Sequence, residues 1–382
     1  MSFRQITKTI HGDAPGRKTE LCYYLIGPED SSLPKVYMQA ALHADEQPGI
    51  MVLHHLLSLL RSADERGELA ARFVIMPMVN PLGMASLGFN QHQGRYDEVS
   101  GVNFNRKWPN LFSCIEPCLG KQLGSDAETN ETLILNAVKD WLANLKPVSA
   151  LEQQRHFVMQ EAYDADYVFD LHCDNDALVH LFAVPQLKES SHQLATWLGA
   201  SATLLAEDSG GGSFDEVWPA LWLNAARAYP DCPIPQKVKA SGTVEYRGQM
   251  DTFDALNEQD ARQFYGFFQE RGLIAGDPIM AKPTESPAPT NLDATEMLRV
   301  DQAGLLAYAV ELGEDVKKGQ LIAELIALQG DQAFIQRTPL LAGTSGKVIS
   351  RNINKYVWPG CSIVKIVGTE VLDSRGDYLL ED

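Results

Sequence analysis

The most constraining feature of this 382-residue chain is the stretch Val36–Gly49. Its apolar run ends abruptly at His43, which is the pattern of a buried strand. A helix is predicted over 47–61, with Pro48 in its first turn and apolar residues at helical spacing. His43 and Glu46 therefore lie at a strand-to-helix corner, where a spacing of three residues lets both side chains point to one side.

An imidazole and a carboxylate at the end of a strand form two thirds of a catalytic zinc site. The pattern His-x-x-Glu also occurs by chance in many chains. For this pair alone, a surface helix with an acidic first turn is the alternative interpretation. A zinc site further needs a third ligand, a general base and a group that stabilises charge.

Composition limits the partners of this chain. It has 32 Lys and Arg against 50 Asp and Glu, so its net charge is −18. That charge argues against nucleic acid and anionic membrane as partners. The first residues lack the apolar run of a secretion signal, and the six cysteines are scattered as in reduced cytosolic proteins. We expect a cytoplasmic protein that captures anionic ligands with local arginines.

Strands and helices alternate along the first 276 residues. Strands are predicted at 3–10, 19–27, 36–43, 72–80, 166–172, 179–184, 202–207 and 243–247, and helices near 128–145, 148–163, 188–200, 214–228 and 255–273. The alternation predicts an α/β fold, with a mixed, largely parallel sheet flanked by helices. Residues 81–127 are weakly periodic, and we expect a long functional loop there.

The composition changes at residues 277–291, which read as a Pro/Thr-rich linker between a catalytic domain over 1–276 and a second domain over 292–382. The second domain has short strands and many glycines. Residues 304–324 and 346–365 each contain a strand, a glycine turn and another strand. This weak repeat predicts a small C-terminal all-β barrel-sandwich domain.

The strand that ends at His172 is the expected source of the third metal ligand. Its polar residues gather at its carboxyl end, the edge where open α/β sheets bind ligands. Asp170 and His172 share one face of the strand, and a carboxylate there can orient a metal-bound histidine. An Asp–His hydrogen bond that only caps the strand is the alternative.

The remaining candidates are one carboxylate and a group in the long loop. Glu245 is the candidate general base, because a carboxylate near a hydrolytic zinc can take a proton from water. The alternative is an exposed ion pair between Glu245 and Arg247. Arg95 could hold a developing oxyanion, and Asn105 with Arg106 could hold a substrate carboxylate. A loop that is basic only because loops are polar is the alternative.

Together these motifs resemble the zinc carboxypeptidase superfamily, most closely its succinylglutamate desuccinylase/aspartoacylase branch. The matching series, in the order of the family, is His43-Ala-Asp-Glu46, Arg95-Tyr96, Asn105-Arg106, Asp170-Leu-His172 and Glu245. The resemblance covers about residues 35–250.

The resemblance implies a zinc carboxypeptidase-like fold with one zinc ion per chain. It implies that the ion is held by two histidines and a glutamate, with water in the fourth position. The implied roles are zinc ligand for His43, Glu46 and His172, contact with the carbonyl oxygen for Arg95, binding of the substrate carboxylate for Asn105 and Arg106, and base for Glu245.

This chain departs from the family pattern in three ways. The usual Gly-x-His-Gly-Asp-Glu is here Ala41-Leu-His43-Ala44-Asp-Glu. Arg95 stands ten positions before Asn105, which is farther than expected for the branch. The loop 81–127 is long, as in a carboxypeptidase. These departures leave the substrate open.

Residues 310–324 resemble lipoyl and biotinyl domains. The following segment, 326–338, contains no lysine to carry a covalent cofactor, so we expect a packing or homo-oligomerisation role. For the whole chain we predict a zinc-dependent hydrolase that cleaves the amide bond of a small N-acylated amino acid or related carboxylate. The alternatives are a zinc carboxypeptidase acting on peptides and a non-catalytic binding protein that retains the fold.

Overall fold

The structure is a computed structural model that describes residues 3–120, 122–372 and 379. The strands up to residue 276 are β1 (Arg4–His11), β2 (Lys18–Ile26), β3 (Lys35–Ala40), β4 (Arg72–Met76), β5 (Leu87–Gly88), β6 (Gln91–His92), β7 (Tyr167–Asp174), β8 (Asp176–Ala177), β9 (His180–Ala183), β10 (Ala202–Leu205) and β11 (Ala240–Gly248). The helices are α1 (Pro48–Glu65), α2 (Pro81–Met84), α3 (Leu111–Leu119), α4 (Ala127–Asn144), α5 (Ala150–Ala162), α6 (Lys188–Leu198), α7 (Phe214–Ala228) and α8 (Asp254–Glu270). The later strands are β12 (Thr290–Asn291), β13 (Thr295–Arg299), β14 (Gly304–Tyr308), β15 (Asp315–Val316), β16 (Leu321–Ile326), β17 (Arg337–Leu341), β18 (Gly346–Arg351), β19 (Tyr356–Val357) and β20 (Ser362–Val367).

Nine strands form one sheet in the order β1-β2-β4-β3-β7-β11-β9-β10-β12. The pairs β4–β3, β3–β7, β7–β11, β9–β10 and β10–β12 are parallel, and the other three are antiparallel. The predicted mixed, largely parallel sheet is therefore confirmed. Parallel neighbours need crossover connections, which place helices on both faces of the sheet.

Two hydrophobic clusters fill the space between the sheet and the helices. Along β3, Val36 and Met38 belong to one cluster and Tyr37 to the other, because successive side chains of a strand point to opposite faces. Helices α1, α6 and α8 supply residues to the first cluster, and α3, α4, α5 and α7 to the second. The central strands are buried on both sides, which explains their continuous apolar runs.

Helix α1 approaches β7 closely at Gly49. A Cβ atom on Gly49 would lie 2.8 Å from the Cβ atom and 3.0 Å from the carbonyl oxygen of Leu171. The helix that follows His43 is therefore packed directly against the strand that carries His172. No larger residue fits at this contact without displacing one of the two elements.

The C-terminal β region, residues 292–372, forms a four-stranded antiparallel sheet with the order β17-β16-β14-β19. It also contributes β13-β20-β18-β15 to a five-stranded antiparallel sheet, whose fifth strand is β8 beside β18. Its hydrophobic cluster includes Ile322, Val348 and Ile363. The two predicted strand–turn–strand repeats correspond to the antiparallel pairs β14–β16 and β18–β20. The predicted all-β character of this region is confirmed.

The C-terminal β region is joined to the preceding part of the chain by backbone pairing and charge. Strand β8 pairs with β18, and the N–H of Leu178 donates to the carbonyl of Ile349 at 2.9 Å. Arg351 donates to Asp176 Oδ2 from Nη2 at 2.9 Å and from Nε at 3.2 Å. The predicted linker ends in β12, which extends the main sheet beside β10.

Residues 81–127 differ from the predicted continuous loop. They contain α2, the hairpin β5–β6 and α3. Helix α3 was missed because Pro117 lies within it, and an internal proline is usually a sign that a helix ends. None of the described helices is both long and apolar enough to cross a membrane.

We expect Gly49→Ala to lower the free energy of unfolding by about 1–3 kcal/mol, because the added methyl group overpacks the contact with Leu171. This sign is opposite to that of helix propensity, which favours alanine. Urea unfolding followed by circular dichroism measures the change. Gly124→Ala is the matched control, since a Cβ there would have no atom within 4 Å. Equal losses in the two variants would contradict the argument.

Candidate active site

Three adjacent parallel strands bring the predicted site residues to one edge of the sheet. His43 lies three residues beyond the end of β3, and His172 lies near the carboxyl end of β7. Glu245 on β11 is the direct cross-strand neighbour of His172. This is the edge at which ligands bind in open α/β sheets.

The corner that follows β3 has an unusual backbone. Ala41 has a φ of 57°, in the left-handed region that favours glycine. This is the position at which the family pattern has glycine, so alanine here carries backbone strain. The corner is held in place by the N–H of Ala44, which donates to the carbonyl of Gly94 at 2.9 Å.

The three predicted metal ligands meet in the structure. Glu46 lies between the two imidazoles, with Oε1 3.0 Å from His43 Nδ1 and Oε2 2.7 Å from His172 Nδ1. One ligand atom from each residue lies within 4.8 Å of the others, and all three residues are buried. Two imidazole nitrogens and one carboxylate oxygen are the donors of many catalytic zinc sites. The group therefore fits the metal that the family resemblance implies.

The other nitrogen of each imidazole has its own partner. His43 Nε2 lies 2.7 Å from Asn103 Oδ1. His172 Nε2 lies 2.9 Å from Asp170 Oδ2, although the alignment is poor for a hydrogen bond. Such partners hold the rings of metal-binding histidines in orientation. Asp170 was predicted in this role. Asn103 was missed, although it stands only two residues before Asn105 in the sequence.

The charges of these buried groups shift one another's pKa values. Burial disfavours the ionised form of Glu46, but the adjacent imidazoles outweigh it and hold the pKa of Glu46 well below its usual range. Burial likewise disfavours the charged form of His172, whereas Asp170 and Glu46 raise its pKa well above its usual value. These buried carboxylates favour a positive charge at the centre, where a metal ion would compete with protons for the same atoms.

Arg95 reaches the ligand group. Its Nη1 atom donates to Glu46 Oε1 at 2.9 Å and lies 3.3 Å from His43 Nδ1. Arg95 lies ten residues before Asn105 in the sequence but close to it in space, because the N–H of Phe104 donates to the carbonyl of Arg95 at 3.1 Å. The long loop thus folds back on itself and places Arg95 beside the second predicted group.

Asn105 and Arg106 line the same cleft as the ligands. Asn105 Oδ1 accepts a hydrogen bond from the N–H of Phe214 at 2.8 Å, which ties it to the start of α7. Gly211 packs against Arg106, and a Cβ there would lie 2.5 Å from Arg106 Cδ. The absence of a side chain at Gly211 therefore lets the backbone of stretch 209–212 pack closely against Arg106.

Glu245 is partly buried and lines the cleft. Its Oε2 atom has neither solvent contact nor a hydrogen-bond partner among the described residues. Burial and the nearby Glu46 carboxylate raise the pKa of Glu245 to about 8. The predicted alternative, an exposed pair with Arg247, is wrong, because Arg247 forms its ion pair with Asp260.

The cleft has a volume of about 420 Å³ and includes residues that the sequence did not identify. The C-terminal β region contributes Arg299, Trp358 and Lys365 to its lining. Lys365 Nζ lies 2.5 Å from Asp174 Oδ2, and both side chains are largely buried. No local signal marks these residues, since they come from a part of the chain far from the motifs.

We expect Asp170→Asn to weaken zinc binding about 10- to 100-fold, because His172 loses the carboxylate that orients its ring. Competition with a chromogenic chelator measures the affinity. Asp140→Asn, on the exposed face of α4, is the control for the loss of one acidic group. Unchanged zinc affinity in Asp170→Asn would show that Asp170 does not support the site.

Part of the chain matches a known family in sequence. Residues 32–131 match the model of the succinylglutamate desuccinylase/aspartoacylase catalytic domain. The matched span contains five of the predicted site residues, namely His43, Glu46, Arg95, Asn105 and Arg106. No curated protein sequence matches the chain.

Solved structures extend the comparison to nearly the whole chain. A protein from Shewanella frigidimarina NCIMB 400, named for the succinylglutamate desuccinylase/aspartoacylase family, is 21% identical with a TM-score of 0.81, over 96% of this chain and 97% of that one. A family protein from Shewanella amazonensis SB2B is 23% identical with a TM-score of 0.78, over 95% and 98%. The product-bound ectoine utilization protein EutE (DoeB) from Ruegeria pomeroyi is 16% identical with a TM-score of 0.64, over 97% and 99%.

At these identities the solved structures show a shared fold, and the family model adds a match in sequence over residues 32–131. The resemblance of this chain to the succinylglutamate desuccinylase/aspartoacylase family is thereby confirmed.

Proposed function

We propose that this protein is a zinc-dependent hydrolase that cleaves the amide bond of a small N-acylated amino acid or a related carboxylate. The observation that carries the proposal is the convergence of His43, Glu46 and His172, with ligand atoms within 4.8 Å of one another. The same cleft contains a carboxylate suited to act as a base and several arginines. We also propose a cytoplasmic location, in keeping with cysteines that are all free.

His43, Glu46 and His172 would hold the zinc ion. When bound, zinc supplies Lewis-acid chemistry, since it polarises a carbonyl oxygen and lowers the pKa of a water molecule to around 7. Asp170 lies beside Nε2 of His172, and Asn103 lies beside Nε2 of His43. These two neighbours would keep the Nδ1 atoms of both rings turned toward Glu46. Asn103 would fix the ring of His43 through a hydrogen bond, and the charge of Asp170 would favour one orientation of His172, so less reorganisation is needed when a substrate arrives.

Glu245 is the proposed general base and acid. A carboxyl group with a raised pKa and an unpartnered oxygen can both accept and return a proton near neutral pH. It would take the proton of the attacking water and deliver it to the departing amine. Cross-strand pairing with His172 places it beside the ligand group.

The arginines of the long loop would hold the substrate. Arg95 is already next to Glu46 and would stabilise the oxyanion that develops on the carbonyl. Asn105 and Arg106 would bind the carboxylate of the amino acid, since a guanidinium offers two parallel donors to a carboxylate. These local cations are needed because the net charge of −18 otherwise repels an anionic substrate.

The C-terminal β region favours a small substrate over a peptide. Arg299, Trp358 and Lys365 form part of the lining of the cleft. They are held there by the β8–β18 pairing and by the ion pair between Arg351 and Asp176. A long peptide chain would have to pass this side of the cleft, so the carboxypeptidase alternative is the less favoured of the two reactions.

The proposal is tested with the zinc-loaded protein and a panel of substrates. N-acetyl and N-succinyl amino acids are compared with short peptides, and the released amine is quantified. We expect turnover of one or more N-acyl amino acids and little with the peptides. Turnover of peptides alone would favour a carboxypeptidase. Zinc binding without hydrolysis of any member would favour a binding protein that retains the fold.

We expect Glu245→Gln to lower kcat about 10²- to 10⁴-fold while zinc stays bound, because the base is lost and the ligands are intact. His43→Ala should lose both zinc and turnover. Metal analysis of the purified variants and steady-state kinetics provide the two measurements. Glu258→Gln, at an exposed carboxylate of α8 that pairs with Arg262, is the control. Full activity in Glu245→Gln would remove this residue from the mechanism.

A further inference from the structure

The turn that carries Asn105 and Arg106 is held in a strained shape. Lys107, which directly follows Arg106, has a φ of 60°, in the left-handed region that costs a residue with a side chain about 1 kcal/mol or more. Such a conformation persists only where its surroundings hold it. On one side the turn is held by the glycine loop, because the N–H groups of Lys107 and Trp108 donate to the carbonyls of Gly211 and Gly212.

On its other side the turn is held by one side chain from α5. Arg155 Nη2 donates to the carbonyl of Arg106 at 2.6 Å, and Nη1 donates to the carbonyl of Lys107 at 3.0 Å. Nη2 also lies 3.3 Å from the carbonyl of Phe104 and 3.5 Å from that of Asn103. One guanidinium therefore gathers four carbonyl groups of the turn, with its shortest contacts at Arg106 and Lys107.

The position of Arg155 is costly for a charged group. Its guanidinium lies over the Trp108 ring at 5.0 Å, and its Nε atom is buried with no hydrogen-bond partner among the residues that the structure describes. No ion pair joins it to a carboxylate of the described chain, and burial lowers the pKa of Arg155 to about 10. Burial of a charge is unfavourable unless opposite charges or hydrogen bonds compensate it. The nearby Asp97 carboxylate offsets part of the shift in the pKa of Arg155, and the backbone carbonyls supply the hydrogen bonds.

We propose that Arg155 is a positioning residue that holds the turn so that Asn105 and Arg106 face the substrate carboxylate. This inference rests on the proposed function, because it assigns Asn105 and Arg106 to the substrate. Arginine suits the task, since its planar fork offers five donors at fixed angles and can span several carbonyls. Lysine would keep the charge but reach fewer of them.

The geometry predicts which property of the protein the loss of Arg155 would impair. Its strong contacts lie at Arg106 and Lys107, whereas its contact to Asn103, the partner of His43, is at the limit of hydrogen bonding. Substrate binding should therefore suffer more than metal binding. A general loss of structure would instead lower kcat and zinc content together.

The kinetic test compares Arg155→Met, Arg155→Lys and the control Arg262→Met, which removes an exposed arginine of α8. With the best N-acyl amino acid of the panel, we expect Arg155→Met to raise KM about tenfold or more, the effect of losing one or two charge-assisted hydrogen bonds. We expect kcat within about threefold of the wild type, one zinc per chain and an intermediate KM for Arg155→Lys. A KM like that of the control, or a fall in kcat at unchanged KM, would overturn the proposal.

A second measurement does not depend on activity. Hydrogen exchange detected by mass spectrometry reports on the amides of residues 103–108, and we expect faster exchange in Arg155→Met than in Arg262→Met. If the wild type hydrolyses no member of the panel but this difference in exchange is found, the proposed function fails, whereas the role of Arg155 in holding the turn is supported. Unchanged exchange would overturn the inference. If Arg155→Met does not fold, the same comparisons with Arg155→Lys decide the outcome.

Discussion

The central interaction of this structure is a buried carboxylate between two imidazoles. Glu46 contacts His43, which lies on the same strand-to-helix corner, and His172, which lies on a strand 126 residues later in the chain. That contact requires β3 and β7 to be parallel neighbours in register, with Ala40 paired to Leu171. A slip of one residue would turn His172 to the opposite face of the sheet and separate the group.

The buried charges of this centre explain much of what surrounds it. A carboxylate removed from water is unfavourable unless cations or donors compensate it, and Arg95 supplies such a cation beside Glu46. The C-terminal β region supplies another, since Lys365 pairs with Asp174 at the end of β7. The region thus contributes charge and lining to the cleft in addition to its own hydrophobic cluster.

Local patterns in the sequence predicted the α/β fold and the candidate ligands because both depend on short-range chemistry. Buried strands with polar ends, such as those before His43 and His172, can be recognised within a few residues. Helix α3 was missed because its internal proline contradicts the local rule. Arg155 was missed because it lies on an ordinary amphipathic helix, and only the folded chain places the carbonyls of Lys107 and Arg106 around it.

The sequence by itself determined the alternation of strands and helices, the all-β character of the C-terminal part and the chemical types of side chain at the carboxyl ends of β3, β7 and β11. These features follow from periodicity and from local backbone preferences. Only the tertiary structure decided which of these side chains meet, that Arg247 pairs with Asp260 and leaves Glu245 beside the candidate ligands, and that Lys365 reaches the cleft. The physical reason is that such contacts depend on strand order and register, which bring together residues far apart in the chain and leave no mark in the sequence around either partner.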